Sequence, residues 1–247
     1  PRRLEQRSDE LPHHGVDAVA LAEAAQGRGP LVIRLDRGPG VHSTACVRDA
    51  SDDELAALRD EFRRRHAVVV PGLFGAALLA EVQAELDRAP FEQRDYDGLA
   101  GELALDESVP LVARLLFLVN DPSLYRTVES ITGARPVVRF DGRIYRRVAT
   151  PEHYDNWHDD LEDLNHLVTM SVNLGSEPYG GGVLHMRRKG THEPLAEVHN
   201  TGSGDALFFR IAPDLQHRVE SVTAGVKTAL AGWFSKGSRW PLPARRL

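Results

Sequence analysis

Apolar positions along the chain change their period near residue 135, and the change separates two kinds of structure. In the first part, Leu55, Leu58 and Phe62 recur at helical spacing behind Ser51-Asp52-Asp53-Glu54, which has capping-box spacing, so a helix is expected from about Ser51 to Arg65. The run His66-Ala67-Val68-Val69-Val70 reads as a strand stopped by Pro71-Gly72, and Leu78, Val82 and Leu86 then return to helical spacing. Leu111 to Val119, followed by Leu124, Val128 and Ile131, predicts two more helices, the last ending near Gly133. Upstream, Val16 to Ala25 suits a short helix and Leu31 to Leu35 a strand, while Pro90 to Ser108 reads as a polar connection containing Gly and Asp.

Beyond Pro136 the apolar runs become short: Val137 to Val148, Leu167 to Leu174, Val183 to Met186, Ala206 to Ile211 and Val226 to Phe234. Turn-rich spacers separate them, among them Gly180-Gly181-Gly182 and Thr201-Gly202-Ser203-Gly204-Asp205. Helices followed by many short strands predict an α+β fold whose β unit is closed or doubled so that its edges are hidden. The expectation is one domain over 1–247, with a mainly helical part (1–135) packed against a β core (136–236).

Composition narrows the function classes. With 42% hydrophobic and 27% charged residues in 247, the chain has an ordinary soluble globular make-up and enough length for a sizeable core. Its 30 basic and 36 acidic residues are interspersed, so no basic stripe points to a nucleic-acid partner. Cys46 is the single cysteine, which excludes an intrachain disulfide and any zinc or iron–sulfur cluster built on cysteines. No apolar run is long enough to span a bilayer, and no signal-peptide core follows Pro1-Arg2-Arg3-Leu4, so a cytoplasmic protein without a membrane partner is expected. Oligomeric state is left open.

The candidate chemistry lies in the second part. Trp157-His158-Asp159-Asp160 is followed 59 positions later by His217 (217 − 158) and ten further on by Lys227 (227 − 217). Two imidazoles and one carboxylate form a three-point ligand set with open positions, which suits non-heme Fe(II) that must also bind a co-substrate and oxygen. Residues two apart on a strand share a face, so His158 and Asp160 reach one ion if the backbone there is extended, with His217 supplied by a strand distant in sequence. Lys227, one of only three lysines, would sit on the strand beside His217 and point inward, where its ammonium suits a two-ended acid.

Several residues have weaker claims. His153-Tyr154-Asp155 repeats the His-x-Asp pattern five residues upstream and competes for the metal; otherwise His153 and Tyr154 are expected at the substrate mouth. Thr169, Ser171 and Asn173 share one strand face and could hydrogen-bond carboxylate oxygens, as could the Tyr145 hydroxyl. Arg143, Arg146 and Arg147, with Arg187, Arg188 and Lys189 after the glycine run, form either an acidic-substrate site or a solvated face, and Trp233 and Phe234 read as core.

Residues Val137 to Phe234 resemble the Fe(II)/2-oxoglutarate-dependent dioxygenase superfamily, in its prolyl-4-hydroxylase-like branch. The resemblance rests on His158, Asp160, His217 and Lys227, supported by Gly181-Gly182-x-Leu184 and Gly204-Asp205-Ala206-Leu207-Phe208-Phe209. It implies a double-stranded β-helix (jelly-roll, cupin-like) core, with His158, Asp160 and His217 as metal ligands and Lys227 as partner of the co-substrate's distal carboxylate. It further implies Fe(II), 2-oxoglutarate and O2 as reagents, with ascorbate supportive in vitro. The reaction implied is hydroxylation of an unactivated C–H in a small-molecule or peptidyl substrate, with release of succinate and CO2. Related halogenases lack the carboxylate, so Asp160 favours hydroxylation-type chemistry. The rival classes are a non-catalytic metal- or 2-oxoglutarate-binding β-helix protein and a cupin-type metalloenzyme that does not use 2-oxoglutarate.

Overall fold

The computed structural model describes residues 32–37 and 44–237, so the helix expected over 16–25 lies outside the described residues. Two strands, β1 (Val32–Arg37) and β2 (Thr44–Asp49), pair with each other and precede α1 (Asp52–Arg65), β3 (Ala67–Val70) and α2 (Ala76–Leu86). Then come β4 (Phe91–Asp95), β5 (Gly101–Leu105), α3 (Pro110–Val119) and α4 (Pro122–Thr132). The second part runs β6 (Arg139–Val148), β7 (His166–Asn173), β8 (Gly180–Gly181), β9 (Leu184–Arg188), β10 (Pro194–Val198), β11 (Ala206–Arg210), β12 (Leu215–Val219), β13 (Val222–Ala224) and β14 (Val226–Ser235).

Helix boundaries follow local chemistry. The Ser51 side chain accepts from the Glu54 amide while the Glu54 carboxylate accepts from the Ser51 amide, which closes the expected capping box of α1. Helix α4 opens with Asp121 accepting from the Ser123 amide and Pro122 in its first turn, and it ends at Gly133 in the left-handed region (φ 73°).

Seven antiparallel strands form the main sheet, in the order β3-β11-β7-β14-β6-β5-β4, and three form a smaller sheet, β10-β9-β12. The main sheet has two differently used faces. On one, Phe140, Ile144, Val168, Met170, Val172, Phe208, Leu230 and Phe234 pack against buried residues of the four described helices, such as Phe62, Val82, Leu115 and Val128. On the other, Ala67, Leu207 and Phe209 pack against Leu184, Met186, Ala196 and Leu215 around the smaller sheet. Two facing sheets with helices on the outer face constitute the α+β, double-stranded β-helix arrangement expected.

The stretch from Pro90 to Ser108 is not a simple polar connection. It forms the β4–β5 hairpin, which turns through Asp97 and Gly98, both at positive φ, and extends the main sheet at its β6 edge. With β3 at the opposite edge, the mainly helical first part therefore contributes three of the seven strands.

Candidate metal and co-substrate site

Strand alternation builds the site. On β6, β7, β11 and β14 the residues facing away from the helices line a cavity of about 820 Å³ measured out to its open mouth. The registers arrange them in transverse rows: Trp233, Thr169 and Phe209; then Arg143, Ala231, Ser171 and Leu207; then Tyr145, Ala229 and Asn173; then Arg147 and Lys227. Leu184, Val198, His217 and Val219 form the facing wall.

His158, Asp160 and His217 meet at the Trp233 end. The segment carrying His158 is tied to β12 by reciprocal backbone bonds, His158 N–H to the His217 carbonyl at 3.0 Å and His217 N–H to the His158 carbonyl at 2.9 Å. His158 Nε2 lies 3.3 Å from Asp160 Oδ1, and His217 Nε2 lies 3.3 Å from Asp160 Oδ2. The three donor atoms fall within 4.8 Å of one another, as a single ion requires. The backbone is not extended through the pair: Asp160 takes a left-handed conformation (φ 55°), and this bend turns its carboxylate back toward His158.

Electrostatics fit a cation. Burial opposes charge on His158, but its hydrogen bond with Asp160 and the charges of Asp155 and Asp160 prevail and push its pKa up to about 9. Burial likewise opposes charge on Asp160, yet hydrogen bonds from His158 and His217 hold its carboxyl far below the usual carboxylate range. His158 Nδ1 is 2.7 Å from the Asn156 carbonyl and can donate to it, leaving Nε2 to face Asp160 as a ligand nitrogen. Such a set shares protons when metal-free and releases them to an incoming divalent ion, so these residues fit Fe(II).

The rival pair resolves differently. His153 is buried with Nδ1 accepting from the Val148 amide at 2.8 Å and Nε2 against Gln93 Oε1 at 3.2 Å, so it joins neither the donor set nor the cavity lining. Tyr154 donates to Asp95 at 2.6 Å and does not line the cavity either, so neither residue is at a substrate mouth. Asp155 borders the cavity and braces the site: Oδ2 accepts from the Val219 amide at 3.1 Å, and Oδ1 is 3.4 Å from His158 Nδ1.

Lys227 occupies the far row. It lies on β14 of the main sheet, next to β6 and β7, and not beside β12, which belongs to the smaller sheet. Its ammonium points inward, donating to the Gly182 carbonyl at 3.0 Å with the Tyr179 ring centroid at 5.8 Å. Gly182 is at φ +67°, and a Cβ there would press within 3.3 Å of the lysine side chain and 2.9 Å of Tyr179. Burial and then the charge of Arg147 push the Lys227 pKa down to about 7. A buried ammonium with one carbonyl partner is suited to an acid.

Tyr145, Thr169, Ser171 and Asn173 all line the cavity, as expected. Burial raises the Tyr145 pKa, so its hydroxyl stays protonated and able to donate, and Thr169 Oγ1 is buried without a hydrogen-bond partner among the described residues. Asn173 is tied to loops, donating to the Thr201 carbonyl at 2.8 Å and accepting from the Gly175 amide at 3.0 Å.

Two supporting groups were not expected. Trp233, read as core, donates its indole N–H to Asp160 Oδ2 at 2.8 Å and stacks on His166 with centroids 4.7 Å apart and planes at 6°. Glu102, fully buried on β5, accepts from Arg143 Nε and from Arg147 Nη2 at 3.3 Å. Arg147 Nη1 in turn lies 3.5 Å from Asp155, so a chain of alternating charge runs from the hairpin to the back of His158. Spacing could flag Trp233, an inward position on β14 shared with Lys227, but only tertiary structure brings Glu102 here.

Comparisons with known proteins agree with this geometry. Residues 143–235 match the profile of the 2OG-Fe(II) oxygenase superfamily. No curated protein sequence matches the chain. Among solved structures, an oxidoreductase of the 2OG-Fe(II) oxygenase family from Burkholderia pseudomallei superposes with a TM-score of 0.60 at 18% identity, covering 83% of this chain and 96% of that one. A prolyl-4-hydroxylase from Pseudomonas putida gives 0.56 at 18% identity over 74% of this chain and 100% of that one. The epimerase SnoN, in complex with Fe3+, alpha ketoglutarate and nogalamycin RO, gives 0.54 at 16% identity, covering 75% and 84%. Residues 143–235 are thus similar to the 2OG-Fe(II) oxygenase superfamily, and the described residues share the fold of solved 2OG-Fe(II) oxygenases.

Proposed function

We propose that the protein hydroxylates an unactivated C–H of a small metabolite or a peptidyl side chain while 2-oxoglutarate is converted to succinate and CO2. The observation that carries this reading is one cavity with a His158-Asp160-His217 donor set at one end and the inward ammonium of Lys227 at the other. A two-ended acid would suit such a pair of sites, with the donor set to hold its metal and Lys227 to hold a carboxylate.

Bound Fe(II), with 2-oxoglutarate and O2, supplies the oxidation chemistry. The chain's own residues do the rest. His158, Asp160 and His217 would hold the ion through three donor atoms that lie within 4.8 Å of one another. Lys227 orients the co-substrate, with hydroxyls of Tyr145, Thr169 and Ser171 on the same wall as further donors, while the apolar wall of Leu184, Val198, Leu207, Phe209 and Val219 excludes water. The substrate classes follow those of neighbours: a prolyl hydroxylase from Trichoplax adhaerens was solved with a peptide fragment, and SnoN with nogalamycin RO. Among the described residues no helix is long and apolar enough to cross a membrane, and a reducing cytoplasmic setting suits both Fe(II) and a chain with one cysteine.

Purified protein incubated with Fe(II), ascorbate and 2-oxoglutarate is expected to form succinate, faster when a candidate amino acid, peptide or carrier-bound metabolite is productive. Iron-loaded protein that forms no succinate under any condition would overturn the proposal.

A further inference from the structure

Asp160 differs from its two partners in how it is held. Its carboxylate has one oxygen toward each histidine, Oδ1 toward His158 and Oδ2 toward His217, both at 3.3 Å. Among the described residues, only Oδ2 carries another hydrogen bond, from the Trp233 indole N–H at 2.8 Å. The indole is itself fixed: it stacks flat on His166, whose Nδ1 lies 3.1 Å from the Asp160 backbone carbonyl. One parallel pair of rings therefore grips both ends of a residue whose backbone is bent into the left-handed region.

Resting on the reading above, we propose that Trp233 is a positioning residue that restricts Asp160 to binding the metal through one oxygen. A carboxylate coordinates through one oxygen or both, and the difference is one coordination position. Six positions accommodate two histidines, one Asp160 oxygen, two atoms of 2-oxoglutarate and one diatomic molecule. A second Asp160 oxygen would take the place of the last. The indole N–H weakens Oδ2 as a ligand by occupying one of its lone pairs, and it opposes the carboxylate rotation needed to present both oxygens symmetrically. A tryptophan serving only as core would need neither this donor geometry nor its place in the row nearest the metal.

Trp233→Phe keeps the ring and removes the donor. Wild type and variant are to be crystallised with Mn(II) and 2-oxoglutarate, and the affinity of the anaerobic Fe(II)/2-oxoglutarate protein for nitric oxide measured by its electron paramagnetic resonance signal. The expected result is both Asp160 oxygens on the metal in the variant, one in wild type, with nitric oxide affinity at least about tenfold weaker, the lower end of the usual cost of losing a partner of a metal ligand. Trp233→His, which retains a ring N–H, is expected to recover most of that affinity, which a packing role alone would not produce. If the Phe variant fails to fold, Trp233→Leu takes its place in both measurements. Single-oxygen binding in the variant with nitric oxide affinity within about twofold of wild type would overturn the proposal. Wild-type protein that binds neither Mn(II) nor Fe(II) would instead overturn the functional reading beneath it.

Discussion

The two faces of the main sheet are made from the same strands and serve opposite purposes. On β7, Val168, Met170 and Val172 go to the helices, while Thr169, Ser171 and Asn173, alternating with them, go to the cavity. Strand β14 repeats this, with Leu230 and Phe234 on the helix side and Lys227, Ala229, Ala231 and Trp233 on the other. Burial alone does not distinguish the faces, because Lys227, Thr169 and Asn173 are also buried. They differ in whether the polar groups buried there have partners within the protein. The helix face is an apolar cluster, whereas the cavity face holds a buried lysine donating to one carbonyl and a threonine hydroxyl with no hydrogen-bond partner among the described residues.

If the faces are functionally separate, changes on one should leave the other's measurements intact. The largest effect is expected for His158→Ala, which should abolish iron binding in equilibrium dialysis, while His153→Ala retains it and loses stability instead, about 1–3 kcal/mol for the stranded Val148 amide. Retained iron in His158→Ala would merge the site with the buried network behind it. Lys227→Met is expected to weaken 2-oxoglutarate binding about 100-fold or more by calorimetry, with metal affinity little changed.

On the helix face, Met170→Ala should cost about 2–5 kcal/mol in denaturant unfolding and leave the 2-oxoglutarate dissociation constant within about twofold. Smallest among the mutational effects, Ser51→Ala should remove about 1 kcal/mol through the capping box of α1 and nothing from the site.

Lys227 also provides a pH test of the separation. Its folded pKa of about 7 lies below the ordinary lysine value of 10.5, so between these values the unfolded chain binds more protons than the ligand-free fold. Stability of the ligand-free protein should therefore rise with pH from about 7 to about 10, and Lys227→Met should remove that rise. Binding of a dicarboxylate requires the ammonium, so 2-oxoglutarate affinity should fall with pH above about 7, by up to about tenfold per unit. A flat profile in both measurements would mean that Lys227 is solvated and the far row carries no buried charge.

The helices and most long strands were legible because each has a one-dimensional signature: a capping box at Ser51, a left-handed stop at Gly133, apolar runs on β6, β7, β11 and β14. The β4–β5 hairpin also had one, Asp97-Gly98, but Glu92, Arg94 and Asp95 around it read as a polar connection because edge strands expose such residues. The competition between His153 and His158 could not be settled by spacing, since both precede an aspartate by two. It is decided by the Val148 amide and Gln93, which occupy His153, and by the backbone bonds that join His158 to His217.

Residue types and order along the chain were enough to offer a short donor inventory, two competing His-x-Asp pairs at His153 and His158 together with His217 and Lys227, because chemistry of this kind depends on which functional groups exist and on their rough separation. Only tertiary structure decided that His217 and Lys227 reach one cavity from two different sheets, that a left-handed Asp160 closes the donor set, and that Trp233, Arg147 and Glu102 stand behind it. The physical reason is that orientation, desolvation and hydrogen-bond partnership are properties of the packed surroundings, and residues as far apart in sequence as Glu102 and His158 acquire them only when the sheet forms.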